Sequence, residues 1–171
     1  SADAAFALSM LNQLFELKYD DLKLKDMALQ LGSDCPFFLD NKTKLVGGRG
    51  ENLEPIEVDL NGKCIVIVKP PVSIGTAEAY ANVKIQEKDT TLKDLIRLPL
   101  NEWKDHILND FEEYAFQKHP VIFEIKKKLY ALGSDFALMS GSGSAVFGIF
   151  SKAPQIAGHF PNCIYWEGRI N

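Results

Sequence analysis

From Ala4 to Leu17, apolar residues fall at Ala4, Leu8, Leu11 and Phe15, joined by Ala7, Met10 and Leu14. Three- and four-residue spacing of that kind predicts an amphipathic helix with a wide apolar stripe, for which Ser1 or Asp3 can serve as cap. A second helix fits Leu24–Leu31, with Leu24, Met27, Ala28 and Leu31 in register and Gly32 as its stop. After "CPFFL", the stretch "KTKLVGGRGENLEPIEV" reads as two strands joined through glycines. "CIVIVKP" is a continuous β-branched run ended by Pro70-Pro71, which predicts a buried strand. "GTAEAYANV" predicts a short helix capped by Thr76.

The polar stretch Lys84–Thr91 reads as a loop, and Leu92–Leu98 and Glu102–Phe116 as helices broken by Pro99. Val121–Leu132 is amphipathic, with Val121, Ile122, Ile125, Leu129 and Leu132 inward, Lys126, Lys127 and Lys128 mostly solvated, and Gly133 at its end. "FALMSGSGSAVFGIF" predicts strand, tight turn, strand; a helix around Gln155 and a last strand, "CIYWEGRI", follow. Strands and helices mix without a regular βαβ rhythm, so the expected class is α+β. A turn at Asn61-Gly62 marks a domain boundary, and about 60 residues before it make a poor core alone.

With 171 residues, 46% hydrophobic and 25% charged, the composition is that of an ordinary globular chain. A net charge of −4 argues against a nucleic-acid backbone as partner, and no apolar run approaches the roughly 20 residues of a membrane helix. Cys35, Cys64 and Cys163 are odd in number and widely spaced, and two lie in apolar runs. They fit free thiols in a reducing cytoplasm better than disulfides or a metal site. The three histidines share no ligand spacing.

Three segments carry chemistry. In "GSDCPFFL" a lone acid, Asp34, sits between a helix-ending glycine and an apolar run, where poor solvation raises basicity. It suits a general base on a hydroxyl or an anchor for a cation, or else a local Asx turn. In "MSGSGSAVFGIF", Gly141 and Gly143 permit unusual φ, while Ser140, Ser142 and Ser144 add hydroxyls. Such a loop serves equally as an anion-binding nest or as a plain hairpin turn, and no lysine follows as in a Walker loop. "PPVSIGTAEAY" delivers Ser73, Thr76 and Tyr80 near a helix start, where Tyr80 either stacks on a base or packs into the core.

Taken in this order, the segments resemble the GHMP kinases, small-molecule phosphotransferases. "SADAA" resembles the tail of that family's glycine-rich phosphate loop, and "SGSGSAVFGIF" its third motif. "LGSDCPFFL", "GRGENLEPI", "KPPVSIGTAEAY" and "LNDFEEYAFQKHP" narrow the resemblance to a kinase of the non-mevalonate route to isoprenoid precursors. The resemblance implies a GHMP kinase fold, with residues 1–61 the last part of an N-terminal ATP-binding domain and 62–171 a ferredoxin-like C-terminal domain. It implies a chain that starts inside the nucleotide loop and does not turn over substrate alone.

It also implies transfer of the ATP γ-phosphate, with Mg²⁺, to the C2 hydroxyl of a cytidine diphosphate-linked methylerythritol, in the cytoplasm. Asp34 becomes the catalytic base. Ser1 and Asp3 become ATP-binding residues, with Ser1 near the metal. Thr76 and Tyr80 become substrate-binding residues, Tyr80 by stacking on cytosine, and Ser140, Gly141, Ser142 and Gly143 are expected beside the phosphates of the two ligands. Another GHMP kinase, of mevalonate or homoserine type, and a noncatalytic binding module on the same fold are the alternatives.

Overall fold

The computed structural model describes residues 1–40, 42–48, 50, 52–84 and 90–171. The chain forms two compact units, Ser1–Val58 and Asp59–Asn171.

In the first unit, α1 spans Ala2–Leu14 and α2 spans Asp21–Leu31. Ser1 is the N-cap of α1 but makes no side-chain capping bond, and Asp3 lies inside the first turn, so neither caps as expected. The cap is made on α2, which begins three residues earlier than its apolar pattern suggests because Asp20 accepts from the Lys23 N–H at 2.8 Å. Gly32 follows α2 in an extended conformation rather than a left-handed one. Cys35–Phe38 form a single 3₁₀ turn, with Pro36 in its first half, packed against both helices. β1 (Lys44–Gly47) and β2 (Asn52–Pro55) pair antiparallel, Leu45 opposite Glu54. The one buried residue of α1 is Ala5, outside the expected stripe, whereas the stripe positions Leu14 and Phe15 are more than 60% exposed.

The second unit contains β3 (Cys64–Lys69), α3 (Thr76–Asn82), α4 (Leu92–Leu95), α5 (Trp103–His106), α6 (Glu112–Lys118) and α7 (Pro120–Ala131). It closes with β4 (Phe136–Met139), β5 (Val146–Phe150) and β6 (Ile164–Arg169). The sheet is antiparallel in the order β4-β5-β3-β6, the strand order of a ferredoxin-like domain. β3 is central, with Val66 opposite Gly148 on β5 and Glu167 on β6. Val66, Val68, Met139, Val146 and Phe150 form one face of the core against Ile122, Ile125 and Leu129 of α7. Each of these side chains contributes about 1.5–3 kcal/mol by leaving water. Gly148 leaves room for the Phe150 ring, since a Cβ there would stand 3.1 Å from it.

Four expectations change. β3 is not buried on both faces: Cys64, Val66 and Val68 are inside while Ile67 is 37% exposed, because helices cover only one side of this antiparallel sheet. The helix expected over Glu102–Phe116 breaks between α5 and α6, where Ile107 turns extended. No helix forms around Gln155; Pro154, Gly158 and Pro161 favour turns, and the crossover from β5 to β6 is irregular. Lys126 is not solvated, since it is 15% exposed and pairs with Glu112 at 2.6 Å. The expected loop over Lys84–Thr91 lies mostly outside the described residues. All three cysteines are free thiols, and no helix among the described residues is long and apolar enough to cross a membrane.

Candidate active site

In the first unit the candidate residue is Asp34, which immediately precedes the 3₁₀ turn. The turn places its carboxylate at a cavity of about 260 Å³ lined by Asp34, Phe37, Phe38, Val46 and Gly50. Phe37 and Phe38 meet edge to face at 5.0 Å and give the cavity an aromatic wall. The β1–β2 hairpin supplies Val46 and Gly50. Gly50 has φ +114, and a Cβ there would stand 2.9 Å from Asp34 Oδ1, so only glycine allows this approach.

Asp34 is exposed rather than poorly solvated, and among the described residues its side chain accepts from the Ser33 hydroxyl at 3.3 Å. The apolar run after it turns inward at Cys35 and Pro36 and leaves the carboxylate outside. It makes no Asx-turn bond to the turn's N–H groups. Beneath the wall, the Lys44 ammonium lies 5.7 Å from the Phe37 ring centroid and is hydrogen-bonded to Asp40. That bond, above all, holds the Asp40 carboxyl below its ordinary range. Ser1 and Asp3 stand exposed at the start of α1.

In the second unit the glycine-rich segment links β4 to β5. Ser140 N–H donates to Ala145 O at 2.8 Å and Gly143 N–H to Ser140 O at 3.0 Å. The Gly141 and Ser142 N–H groups take no backbone acceptor among the described residues and remain available to an anion. Gly141 and Gly143 have φ of +54 and +92. Gly143 packs so closely that a Cβ would lie 2.9 Å from Met139 Sδ and 3.3 Å from Ile74 Cδ1. Ser144 is buried, its hydroxyl donating to Val72 O. The loop after β3 and the glycine loop are thereby joined.

Thr76 and Tyr80 belong to α3. Gly75, not Thr76, is the N-cap, and no side chain caps this helix; Thr76 is its first residue and exposed. Tyr80 is 65% exposed, which excludes the core-packing alternative. Its ring meets Phe111 edge to face at 5.1 Å. So Thr76, Tyr80 and Ser140–Gly143 all lie in the second unit, whereas Ser1, Asp3 and Asp34 lie in the first.

Two residues beside the glycine loop stand inside the quoted segments "KPPVSIGTAEAY" and "LNDFEEYAFQKHP", yet the resemblance gives neither a role. Lys69 ends β3, and its ammonium lies 3.4 Å from Val72 O and 3.5 Å from Ser144 Oγ, with no carboxylate partner among the described residues. A lysine closing a buried strand was the available signal. Asn109 donates to Met139 O at 2.9 Å and Gly141 O at 2.8 Å. Its signal was an Asn-Asp pair, a turn former, inside a helical pattern.

Residues 91–162 match the family model described as GHMP kinases C terminal. The chain is 47% identical over 156 residues to the 4-diphosphocytidyl-2-C-methyl-D-erythritol kinase of Bacteroides fragilis, covering 91% of this chain and 57% of the relative. It is 42% identical over 173 residues to the protein of that name from Parabacteroides distasonis, covering 100% and 64%. A solved structure, described as the crystal structure of 4-(cytidine 5'-diphospho)-2C-methyl-D-erythritol kinase, superposes with a TM-score of 0.72. It is 31% identical, covering 86% of this chain and 54% of that one. Residues 91–162 thus carry the C-terminal region of the GHMP kinases. The chain spans about six tenths of the length of these two curated relatives. An α+β architecture is shared with the solved neighbour.

Proposed function

We propose that the protein is an ATP-dependent small-molecule kinase of the cytoplasm that phosphorylates the C2 hydroxyl of 4-diphosphocytidyl-2-C-methyl-D-erythritol. In this reading residues 1–61 belong to an ATP-binding domain and 62–171 form the C-terminal domain. The observation that carries the reading is similarity along nearly the whole chain to proteins named for that activity.

The chemistry follows from the side chains. Asp34 is the base: its exposed carboxylate accepts the proton of the substrate hydroxyl as that oxygen attacks the γ-phosphorus and the bond from phosphorus to the β,γ-bridging oxygen breaks, releasing ADP. The cavity beside it, with its apolar walls, suits the carbon skeleton of a small branched alcohol. Phosphoryl transfer depends chiefly on positioning and on neutralising charge. The free N–H groups of Gly141 and Ser142 donate to phosphate oxygens, with the Ser140 and Ser142 hydroxyls beside them. Lys69 adds a cation near that loop. Thr76 contacts the substrate, and Tyr80 offers an exposed ring to the cytosine.

Ser1 and Asp3 bind ATP. Among the described residues no three His, Cys, Asp or Glu side chains gather into a metal cage. That fits Mg²⁺, which is held through one or two protein oxygens together with substrate phosphates. Ser1 would supply a protein oxygen to the ion, which would neutralise phosphate charge.

The test is phosphorylation of the cytidine diphosphate-linked alcohol by the native-length protein, with mevalonate and homoserine as competitors. Asp34→Asn keeps the shape and removes the base, so kcat falls by roughly 10²-fold or more while ATP affinity survives. Phosphorylation of mevalonate or homoserine in preference overturns the substrate. A near wild-type kcat in Asp34→Asn overturns the role of Asp34.

A further inference from the structure

The break between α5 and α6 is where the chain does something a continuous helix could not. Asn109 lies in it, half-buried. Its amide nitrogen donates to Met139 O at 2.9 Å and Gly141 O at 2.8 Å, holding the entry to the glycine loop from two sides. Its amide oxygen accepts the Phe111 N–H at 3.0 Å. Two carbonyls on one side and an N–H on the other fix which way the amide points. Phe111 carries the ring against which Tyr80 rests.

The neighbouring residues extend the same connection. Glu112 Oε1 accepts the Met139 N–H at 2.9 Å, and its other oxygen is held by Lys126. On the opposite side, Tyr114 and Lys118 both donate to Glu78 of α3, the helix that carries Tyr80. Segment 109–118 therefore grips the glycine loop with one set of groups and α3 with another.

We propose that Asn109 is a positioning residue that fixes the spacing between the loop Ser140–Gly143 and the Tyr80 ring, and so matches the protein to a ligand carrying a base and a diphosphate at a set separation. The proposal rests on the reading of these two elements as substrate-binding. Asn109 touches neither base nor phosphate. It acts through the carbonyls of Met139 and Gly141, which set the loop that carries the Gly141 and Ser142 N–H groups, and through Phe111, whose ring meets Tyr80. Any one of these bonds could be structural. One side chain serving both elements, in place of two helical turns, ties the local fold to the recognition of one ligand.

Asn109→Asp separates the two functions. The aspartate keeps an oxygen for the Phe111 N–H but turns an oxygen toward two carbonyls, so the loop side is lost and the Tyr80 side kept. Asn109→Ala loses both. Hydrogen exchange on the native-length protein should show faster amide exchange over 139–146 in both variants. Exchange over 76–82 and 111–118 should quicken only in Asn109→Ala. In steady-state kinetics, Asn109→Asp should raise KM for the cytidine diphosphate-linked alcohol about tenfold, the effect of the two lost hydrogen bonds near the lower end of their worth. KM for ATP should change less than threefold, and kcat should fall less than the substrate KM rises.

A purely structural role would instead lower the melting temperature and leave both KM values of the folded enzyme unchanged, and that result overturns the proposal. So does unchanged exchange over 139–146. If the wild-type protein phosphorylates no cytidine diphosphate-linked alcohol, the functional reading fails while the exchange pattern still decides whether Asn109 holds both elements. Should Asn109→Asp not fold, Asn109→Ser, which keeps one short donor, carries the same measurements, with exchange over 139–146 faster than wild type or the proposal falling.

Discussion

Gly50→Ala tests the position of Asp34 without touching its chemistry. The added methyl would stand 2.9 Å from Asp34 Oδ1 and 3.5 Å from Ser33 O, where ordinary contact begins at 3.4 Å. The carboxylate must therefore retreat by about 0.5 Å, or the hairpin must lift. A 1 Å misplacement of a reacting group can cost about 10²-fold, so half that distance is worth about tenfold in kcat. The backbone adds its own cost. At φ +114 an L residue is strained by about 1–3 kcal/mol. For a chain of this size that lowers the melting temperature by roughly 2–12 °C.

Kinetics on the native-length protein and a melting curve measure both effects, and a double-mutant cycle separates them. If the methyl acts by displacing the carboxylate, adding Gly50→Ala to Asp34→Asn should cost little further kcat, because no base remains to be displaced. An equal loss in both backgrounds refutes the reasoning. So does a kcat within twofold of wild type together with a lowered melting temperature, which would mean that the hairpin moved and Asp34 did not.

Tyr80→Ala should weaken binding of the cytidine diphosphate-linked alcohol about 5- to 150-fold, from a stacking worth of roughly 1–3 kcal/mol, while Tyr80→Phe changes little and ATP affinity holds. Equilibrium binding of both ligands checks this, and unchanged substrate affinity in Tyr80→Ala removes the stacking role. Asp40 is held below its ordinary 3.8 chiefly by the hydrogen bond from Lys44. The stability it supplies is complete above that value and is lost as pH falls through the lower folded one. Asp40→Asn should therefore lower stability by roughly 1 kcal/mol at pH 7 and flatten the acid limb of the stability–pH curve below 3.8. An acid limb identical to wild type in denaturant titrations at pH 2–5 (a span set by about one and a half units on either side of an ordinary carboxyl) would contradict it.

The sequence carries local information well and cross-chain information poorly, and the errors sort by that difference. The β1–β2 hairpin, the turn between β4 and β5, and α7 are set by glycines and short-range periodicity, and their existence is readable from residues close in the chain. Whether Ile67 is covered depends on which side of the sheet α7 occupies, and no pattern within "CIVIVKP" records that. Lys126 looks solvated because its two neighbours are lysines, yet it reaches Glu112, fourteen residues earlier. The exposure of Asp34 depends on the inward turn of Cys35 and Pro36, so an apolar run after an acid says little about how wet the acid is.

The same distinction explains why the resemblance located candidate residues but not what holds them. A motif marks groups that face a ligand, and those groups recur at fixed places in the chain. Supporting bonds such as Asn109 to Met139 O, across 30 residues, arise only when β4 and the break before α6 come together. Neither end is unusual alone: an asparagine in a polar turn and a carbonyl at the end of a strand. Helix periodicity in fact argues the wrong way there, since Glu102–Phe116 has a pattern that a continuous helix would satisfy. The polar contacts of Asn109 override that propensity because its amide makes two hydrogen bonds to distant carbonyls, each worth about 0.5–1.5 kcal/mol. That exceeds the few tenths of a kcal/mol per residue that separate ordinary helix formers. A local preference yields where two bonds to a distant segment outweigh it.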